Sequence, residues 1–226
     1  MSLIDYDAFY RAPLGREPFD HVCVPGFVKP AALPLLGRDF PMPGIPGSVP
    51  LGLAPHGPVF AALARELRGP DIQQAFESKF GIDLGGCPRM ITVREQCRLE
   101  DGQVHVDSAS KVITVLIYMN PPWESAGGRL RLLRSRNLDD YAAEVAPEAG
   151  TLLAFRRSET SWHGHEPFEG PRRAIQLNWV KNGFYVLQEQ LRHRAIAWWK
   201  MHSGTDWRMA RAVPTRPQPD DTDRAA

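Results

Sequence analysis

The chain has 226 residues, enough for one domain whose core needs no disulfide or metal staple. Its 27 lysine and arginine residues nearly cancel its 26 aspartate and glutamate residues, so charge favours neither a nucleic-acid nor a membrane partner. Three cysteines without CxxC spacing indicate reduced thiols, and no leader or spanning apolar run is evident. The composition predicts a soluble, cytoplasmic protein whose partners must be deduced from local sites.

The first part of the chain predicts a short strand followed by packing helices. Residues 18–25 alternate as a strand does, and a helix is expected to start near Ala31. Residues 40–58 contain too much proline and glycine for a helix or an inner strand. This segment is either a surface connection or a loop that partly covers an active-site mouth. One helix is predicted over residues 59–67, and another is predicted to start near Pro70 and to end before Gly81.

Beyond Pro88 the pattern changes to short strands without helices between them, which predicts an antiparallel sandwich or barrel. The expected strands are residues 90–93, 111–119, 130–133, 151–155 and 174–180. The fold class is mainly β with flanking helices (α+β).

The end of the chain predicts an amphipathic helix over about 184–201 and a disordered tail over 214–226. We therefore expect a single domain over residues 1–213, with its β core at about 88–182.

A group of metal-binding residue types lies within the strand-rich part. His105 and Asp107 stand two apart, so on a strand their side chains point the same way. His163 follows 56 residues after Asp107, and closure of a barrel would bring it to them. Two imidazoles and one carboxylate can occupy one face of an iron(II) ion and leave the opposite face open. His165 is an alternative third ligand on the same strand face.

An arginine follows this group at a spacing that suits an acidic ligand. The turn-like residues 166–171 predict a hairpin that places Arg172 on the strand adjacent to His163. A guanidinium offers a fork of donors that matches a carboxylate. A register slip of one residue would replace Arg172 with Arg173, but it would also turn Ile175 and Trp179 into the cavity. The polar face of this strand consists of Arg172, Ala174, Gln176 and Asn178.

The strand at residues 111–119 adds two hydroxyl groups to the polar side of the barrel. Alternation puts Thr114 and Tyr118 on the same face as Leu116, opposite the apolar face of Ile113 and Ile117. We expect Tyr118 to lie beside the far carboxylate of an acidic cosubstrate, and Thr114 is a second candidate for cosubstrate binding.

Several motifs together resemble the prolyl 4-hydroxylase-like branch of the 2-oxoglutarate- and iron(II)-dependent oxygenases. The resemblance covers roughly residues 18–182 and is most specific from His105 onward. It consists of the HxD at 105–107, Trp162-His163 with Pro167 four residues later, and the Gly170-Pro-Arg172 run. Further matching segments are Pro18-Phe-Asp-His-Val22, Leu116-Ile-Tyr-Met-Asn120, Gly127-Gly-Arg-Leu130 and Pro147-Glu-Ala-Gly-Thr-Leu-Leu-Ala-Phe155.

This resemblance implies a double-stranded β-helix, a jelly-roll, cupin-like core, with iron bound at one end. It implies Fe(II) as cofactor, 2-oxoglutarate and O2 as cosubstrates, and it is compatible with ascorbate as a further cofactor. The implied reaction is hydroxylation of an unactivated C–H bond with release of succinate and CO2. Because Asp107 fills the position that a halide takes in related halogenases, hydroxylation is preferred to halogenation.

Two other classes of function stay open at the level of sequence. The domain could be a non-catalytic sensory module that binds metal and 2-oxoglutarate, or a cupin-like metalloenzyme that uses no keto acid. The substrate is expected to be a small molecule or a peptidyl group, with no nucleic acid and no membrane involved. The protein is expected to be a monomer or a homodimer.

Overall fold

The structure, a computed structural model, describes residues 2–45 and 47–181. The helix expected over 184–201 and the tail expected over 214–226 lie outside the described residues. The helices are α1 (Tyr6–Arg11), α2 (Leu33–Asp39), α3 (Pro58–Glu66) and α4 (Pro70–Phe80). The strands are β1 (His21–Val24), β2 (Val49–Pro50), β3 (Arg89–Cys97), β4 (Lys111–Tyr118), β5 (Leu130–Leu133), β6 (Tyr141–Val145), β7 (Leu152–Arg156), β8 (His163–Gly164) and β9 (Gly170–Val180).

The strands form two antiparallel sheets. A six-stranded sheet has the order β1-β7-β4-β9-β3-β2, and a three-stranded sheet has the order β6-β5-β8. Buried side chains from both sheets form a small shared core, among them Phe155 from β7, Ala174 from β9 and Leu132 from β5. The expected mainly β, jelly-roll fold class is thereby confirmed.

The helices cover the other face of the six-stranded sheet. Phe76 of α4 is fully buried, with its ring centroid 4.9 Å from that of Trp179 on β9 and 4.8 Å from that of Phe9 on α1. Proline at the first position begins both α3 and α4, where its missing N–H costs nothing. Gly81 ends α4 in the left-handed conformation at φ 61°. Both helices were predicted to within one residue of these bounds.

Side-chain alternation on β4 and β9 divides an apolar interior from a polar cavity. Ile113, Val115 and Ile117 of β4 pack in the helix-covered core. Thr114 and Leu116 face the opposite side and line a cavity between the sheets. On β9, Arg172, Ala174 and Gln176 likewise line this cavity, while Ile175, Leu177 and Trp179 are in the core. Both predicted faces are confirmed, since a strand shows successive side chains to opposite sides.

The proline- and glycine-rich segment at residues 40–58 runs along the sheet edge. Its short strand β2 pairs with β3, opposite Val93 and Thr92, which is an edge position that proline tolerates. The backbone N–H of Gly44 donates to the Glu95 carboxylate at 3.3 Å, and Ser48 lines the cavity. The loop therefore contributes Ser48 to the cavity wall, while coverage of an active-site mouth stays a prediction.

Three features of the fold differ from expectation. Helix α1 and strand β6 were not predicted. The hairpin expected between His163 and Arg172 is absent, because β8 pairs with β5 whereas β9 pairs with β3 and β4. The connecting residues cross from one sheet to the other. His163 and Arg172 therefore line the same cavity from different sheets and are not on paired strands.

Within residues 2–45 and 47–181, none of the helices combines the length and the apolarity needed to cross a membrane.

Candidate metal and cosubstrate site

Three potential ligands converge at one end of the cavity. One side-chain donor atom from each of His105, Asp107 and His163 can be chosen so that all three lie within 4.8 Å of one another. Each of these side chains lines the cavity, and Asp107 and His163 are buried. The structure thus brings together the three residues that the sequence nominated as metal ligands.

Backbone hydrogen bonds hold the two imidazoles side by side. The N–H of His105 donates to the carbonyl of His163, and the N–H of His163 donates back to the carbonyl of His105, each at 3.0 Å. Their ring centroids are 4.4 Å apart. This isolated bridge extends the small sheet by one residue pair and aligns ligands that are distant in the chain.

Each imidazole is also oriented by a carbonyl of the chain. Nδ1 of His105 lies 2.7 Å from the carbonyl oxygen of Gln103, and Nδ1 of His163 lies 2.9 Å from that of Ser161. A carbonyl can only accept, so Nδ1 carries the proton and Nε2 keeps a free lone pair. This is the tautomer that presents Nε2 to a metal ion.

Asp107 is held as a carboxylate by two donors. Lys111 Nζ lies 2.6 Å from Oδ1, and the Thr114 hydroxyl donates to Oδ2. Burial would raise the pKa of Asp107, but the Lys111 ammonium and these hydrogen bonds outweigh it and lower the pKa to about 2. Thr114 therefore contacts the expected metal ligand, while contact with a cosubstrate stays a prediction.

Burial keeps His163 neutral. It lowers the pKa of His163 to about 4, although the nearby Asp107 carboxylate opposes the shift. An uncharged imidazole at neutral pH is the form that coordinates metals.

An unsatisfied pair of polar groups lies toward the other end of the site. Arg172 is 5% exposed, and its Nε donates to the carbonyl of Gly128 at 2.8 Å. Its guanidinium carbon lies 5.4 Å from the centre of the buried Tyr118 ring. Within the described residues, neither Arg172 Nη2 nor the Tyr118 hydroxyl has a hydrogen-bond partner. Buried donors without partners are costly, so this pair is suited to an acidic ligand.

The carbonyl that holds Arg172 belongs to a tightly packed glycine. Gly128 has φ +77°, and a Cβ there would lie 2.9 Å from the Trp123 ring and 3.1 Å from the Phe168 ring. These two aromatic side chains line a second, outward-facing cavity. The Arg172 position is thus supported from the outside by an aromatic pair.

The cavity of about 210 Å³ joins the two ends of the site. His105, Asp107, His163, Thr114 and Arg172 all line it, whereas Tyr118 is fully buried next to Arg172 and is not part of the lining. The cavity can therefore hold a cation at one end and an acid group at the other.

Of the two alternatives left open by the sequence, His165 lines the same cavity but does not join the ligand cluster, and Arg173 does not line the cavity. His165 packs on Gly102, and its Nε2 is 4.0 Å from Cys97 Sγ, outside the ligand cluster. Arg173 points away from the cavity and stacks on Phe40 at 5.6 Å. The geometry favours His163 and Arg172.

Sequence reasoning missed residues that support this arrangement. Lys111 was counted only as the start of a strand, yet it binds the Asp107 carboxylate four residues before it. The Asn120 amide donates to the carbonyls of Pro147 and Arg173, and its Oδ1 accepts the N–H of Arg173 at 2.6 Å. Asn120 therefore fixes the register that turns Arg172 inward. Its position within Leu116-Ile-Tyr-Met-Asn120 was the available signal.

Two imidazoles and a carboxylate that could hold a metal ion line the same cavity as a buried arginine, and this set of ligand types is typical of non-haem iron oxygenases. The profile of the 2OG-Fe(II) oxygenase superfamily matches residues 96–181, which include all of these residues. Residues 96–181 thus resemble that superfamily, which confirms the resemblance seen in the sequence. No curated protein matches the chain.

The chain is similar to solved structures, and one of them supports the fold. A Pseudomonas putida prolyl-4-hydroxylase is 16% identical, with a TM-score of 0.52 over 78% of this chain and 91% of that one. The viral collagen prolyl hydroxylase of Paramecium bursaria Chlorella virus-1 is 15% identical, with a TM-score of 0.47 over 71% and 96%. At this identity the first likeness establishes the fold alone, that of the prolyl 4-hydroxylase-like branch.

Metal binding should depend on the three clustered residues. His163→Ala and Asp107→Ala are each expected to weaken Co(II) binding by more than about 100-fold, because even outer partners of a ligand are worth 10- to 100-fold. Thr114→Val, which removes an outer partner of Asp107, should weaken Co(II) binding by about 10- to 100-fold. Spectroscopic titration of Co(II) measures all three, and His165→Ala is the matched control that should bind normally. Loss of binding in His165→Ala with retention in His163→Ala would refute the ligand assignment.

Stability of the metal-free protein should fall in acid. Burial lowers the pKa of both His163 and His165 from 6.5 to about 4. Between pH 6.5 and 4 the unfolded chain binds protons that the folded chain does not, so the free energy of unfolding decreases as pH decreases. Asp107, with its pKa lowered from 3.8 to about 2, adds a further loss below pH 4.

Urea unfolding at a series of pH values in the presence of chelator measures this dependence. Replacing His165 with Gln should reduce the slope between pH 6.5 and 4 by about one proton. A free energy of unfolding that stays flat across that window would contradict the expectation.

Proposed function

We propose that the protein is a 2-oxoglutarate- and Fe(II)-dependent dioxygenase that hydroxylates an unactivated C–H bond and releases succinate and CO2. The observation that carries this proposal is the pairing of a His-Asp-His cluster with a buried arginine in one cavity. The orphaned Arg172 Nη2 and Tyr118 hydroxyl fit an acidic group, and the N,O donor set fits Fe(II).

In this proposal each residue has a distinct role. His105, Asp107 and His163 would hold Fe(II), and because both Nδ1 atoms are hydrogen-bonded to carbonyls, the Nε2 atoms are the ones free to coordinate it. Thr114 fixes one Asp107 oxygen and so maintains the direction of the other. Bound Fe(II), 2-oxoglutarate and O2 would supply the oxidising chemistry.

Arg172 would bind the far carboxylate of 2-oxoglutarate. Its Nε is already engaged by Gly128, so Nη2 is the donor that remains for the ligand. The Tyr118 hydroxyl lies behind the cavity wall beside Arg172, and it would donate to the same group only where that group reaches past the lining. Because both donors are buried, the charge-assisted bonds they form would be stronger than in water.

The proposal also covers the extent of the domain, the class of substrate and the oligomeric state. We place a single oxygenase domain over residues 1–213, with a small-molecule or peptidyl substrate and with the protein a monomer or homodimer. The similarity to the Pseudomonas putida enzyme supports the fold of this chain but does not identify its substrate. Ascorbate is a candidate further cofactor, and the assay below is run with and without it.

The direct test is succinate release from 2-oxoglutarate with Fe(II) in air, with and without ascorbate. We expect slow release without substrate and none in His105→Ala, because one of two imidazole ligands is lost. Metal-dependent 2-oxoglutarate binding without any succinate would indicate a sensory module. Metal binding without 2-oxoglutarate binding would indicate a cupin-like metalloenzyme.

Adjacent arginines provide a matched pair for the cosubstrate. Arg172→Gln should weaken 2-oxoglutarate binding to the Zn(II)-loaded protein by about 10- to 100-fold, the value of hydrogen bonds to a charged group. Arg173→Gln, one residue further on the opposite face of β9, should leave it unchanged. Calorimetric titration measures both affinities, and circular dichroism verifies the fold. Equal effects of the two substitutions would rule out the proposed role of Arg172.

A further inference from the structure

A polar strip lies in the cavity beside the proposed 2-oxoglutarate slot. It consists of Thr92 and Arg94 from β3 and Gln176 from β9, all of which line the cavity. In the sheet register Thr92 is opposite Gln176, and Arg94 is opposite Ala174. Tyr118 of β4 is opposite Ala174 on its other side. The strip is therefore separated from Tyr118 by the width of β9.

Arg94 is a second arginine in this cavity that the proposed reaction does not use. Its side chain is 25% exposed, and Nη1 lies 3.0 Å from Asp101 Oδ2 and 3.9 Å from Cys97 Sγ. No hydrogen bond to its Nε or Nη2 is present within residues 2–45 and 47–181. The guanidinium thus has two further N–H groups for a ligand, in the fork geometry that suits an oxyanion.

The charges around the cavity favour an anion. Among residues 2–45 and 47–181, its charged lining consists of Arg94, Lys111 and Arg172 against the single carboxylate of Asp107. A ferrous ion and a 2-oxoglutarate dianion would cancel each other. Asp101 offsets one further cation, so one positive charge remains. In a partly desolvated cavity such an excess attracts anionic ligands.

We infer that the Thr92–Arg94–Gln176 strip binds an anionic oxygen group of the primary substrate, a carboxylate or a phosphate. The guanidinium would form charge-assisted hydrogen bonds to that group, while the Thr92 hydroxyl and Gln176 amide add neutral donors. This inference rests on the proposed function, since it assigns the substrate class of the same site. It predicts an acidic substrate in place of an uncharged one.

A purely structural role for Arg94 makes a different prediction. Asp101 also accepts the N–H of Arg98 at 2.9 Å, so the Arg94–Asp101 pair could serve only to hold the loop before His105. In that case Asp101→Asn would act like loss of Arg94. If Arg94 binds an anion, Asp101→Asn removes a competing carboxylate and leaves anion binding intact or tighter.

The experiment is paramagnetic relaxation by Mn(II) bound to the protein in the presence of 2-oxoglutarate. The probes are the methyl protons of acetate and the ³¹P nucleus of inorganic phosphate. At equal bound Mn(II), Arg94→Gln should weaken the binding of one or both probes by about 10-fold or more. Arg94→Lys, which keeps the charge but loses the fork, should lie between it and the wild type. Asp101→Asn should bind the probe at least as well as the wild type.

The outcomes separate this inference from the proposed function. A stronger response of acetate identifies a carboxylate substrate, and a stronger response of phosphate identifies a phosphorylated one. Equal relaxation in wild type and Arg94→Gln would mean direct coordination to the metal and would overturn the inference. The inference would also be overturned if Arg94→Gln reduced only the relaxation of the 2-oxoglutarate protons, because Arg94 would then bind the cosubstrate. Absence of 2-oxoglutarate relaxation in the wild type would instead refute the proposed function.

Discussion

The reciprocal pair of backbone hydrogen bonds between His105 and His163 is the constraint on which the site depends. It attaches the loop after β3 to the end of the three-stranded sheet, so two imidazoles from distant parts of the chain share one edge. Side-chain hydrogen bonds alone would leave the distance between the two residues unfixed. Here the backbone fixes the spacing, and the carbonyls of Gln103 and Ser161 fix the rotation.

The second organising principle is the two-residue period of β4 and β9. A single strand must supply apolar side chains to the helix-covered core and polar ones to the cavity, and alternation achieves both. Ile175 and Trp179 of β9 are buried in the core, which prevents the strand from slipping. Asn120 reinforces this register through its bonds to the backbone of Arg173. Core packing therefore determines which arginine enters the cavity.

The sequence predicted those parts whose signal is local. The faces of β4 and β9 and the proline-initiated helices α3 and α4 follow from spacing and alternation. His105 and Asp107 were expected on a strand but lie in the loop between β3 and β4, and His163 was linked to them through the expected closure of a barrel. Strand β6 was missed because most of its residues are at least partly exposed, which leaves no apolar alternation to recognise. Helix α1 has six residues and one capping bond from Asp5, too little for a periodic pattern. The pairing of β8 and β9 was wrong because a turn-like sequence does not specify whether the chain returns to the same sheet.

The support of Arg172 by Gly128 makes the outer surface part of the site. Trp123 and Phe168 press on Gly128 from a cavity that opens away from the metal end, and Gly128 in turn accepts the bond that orients the guanidinium. Sequence drift at these two aromatic positions is consequently not neutral, although neither ring belongs to the inner chamber. Any attempt to re-engineer that outer hollow, for attachment or labelling, would reach the Arg172 guanidinium through one layer of peptide.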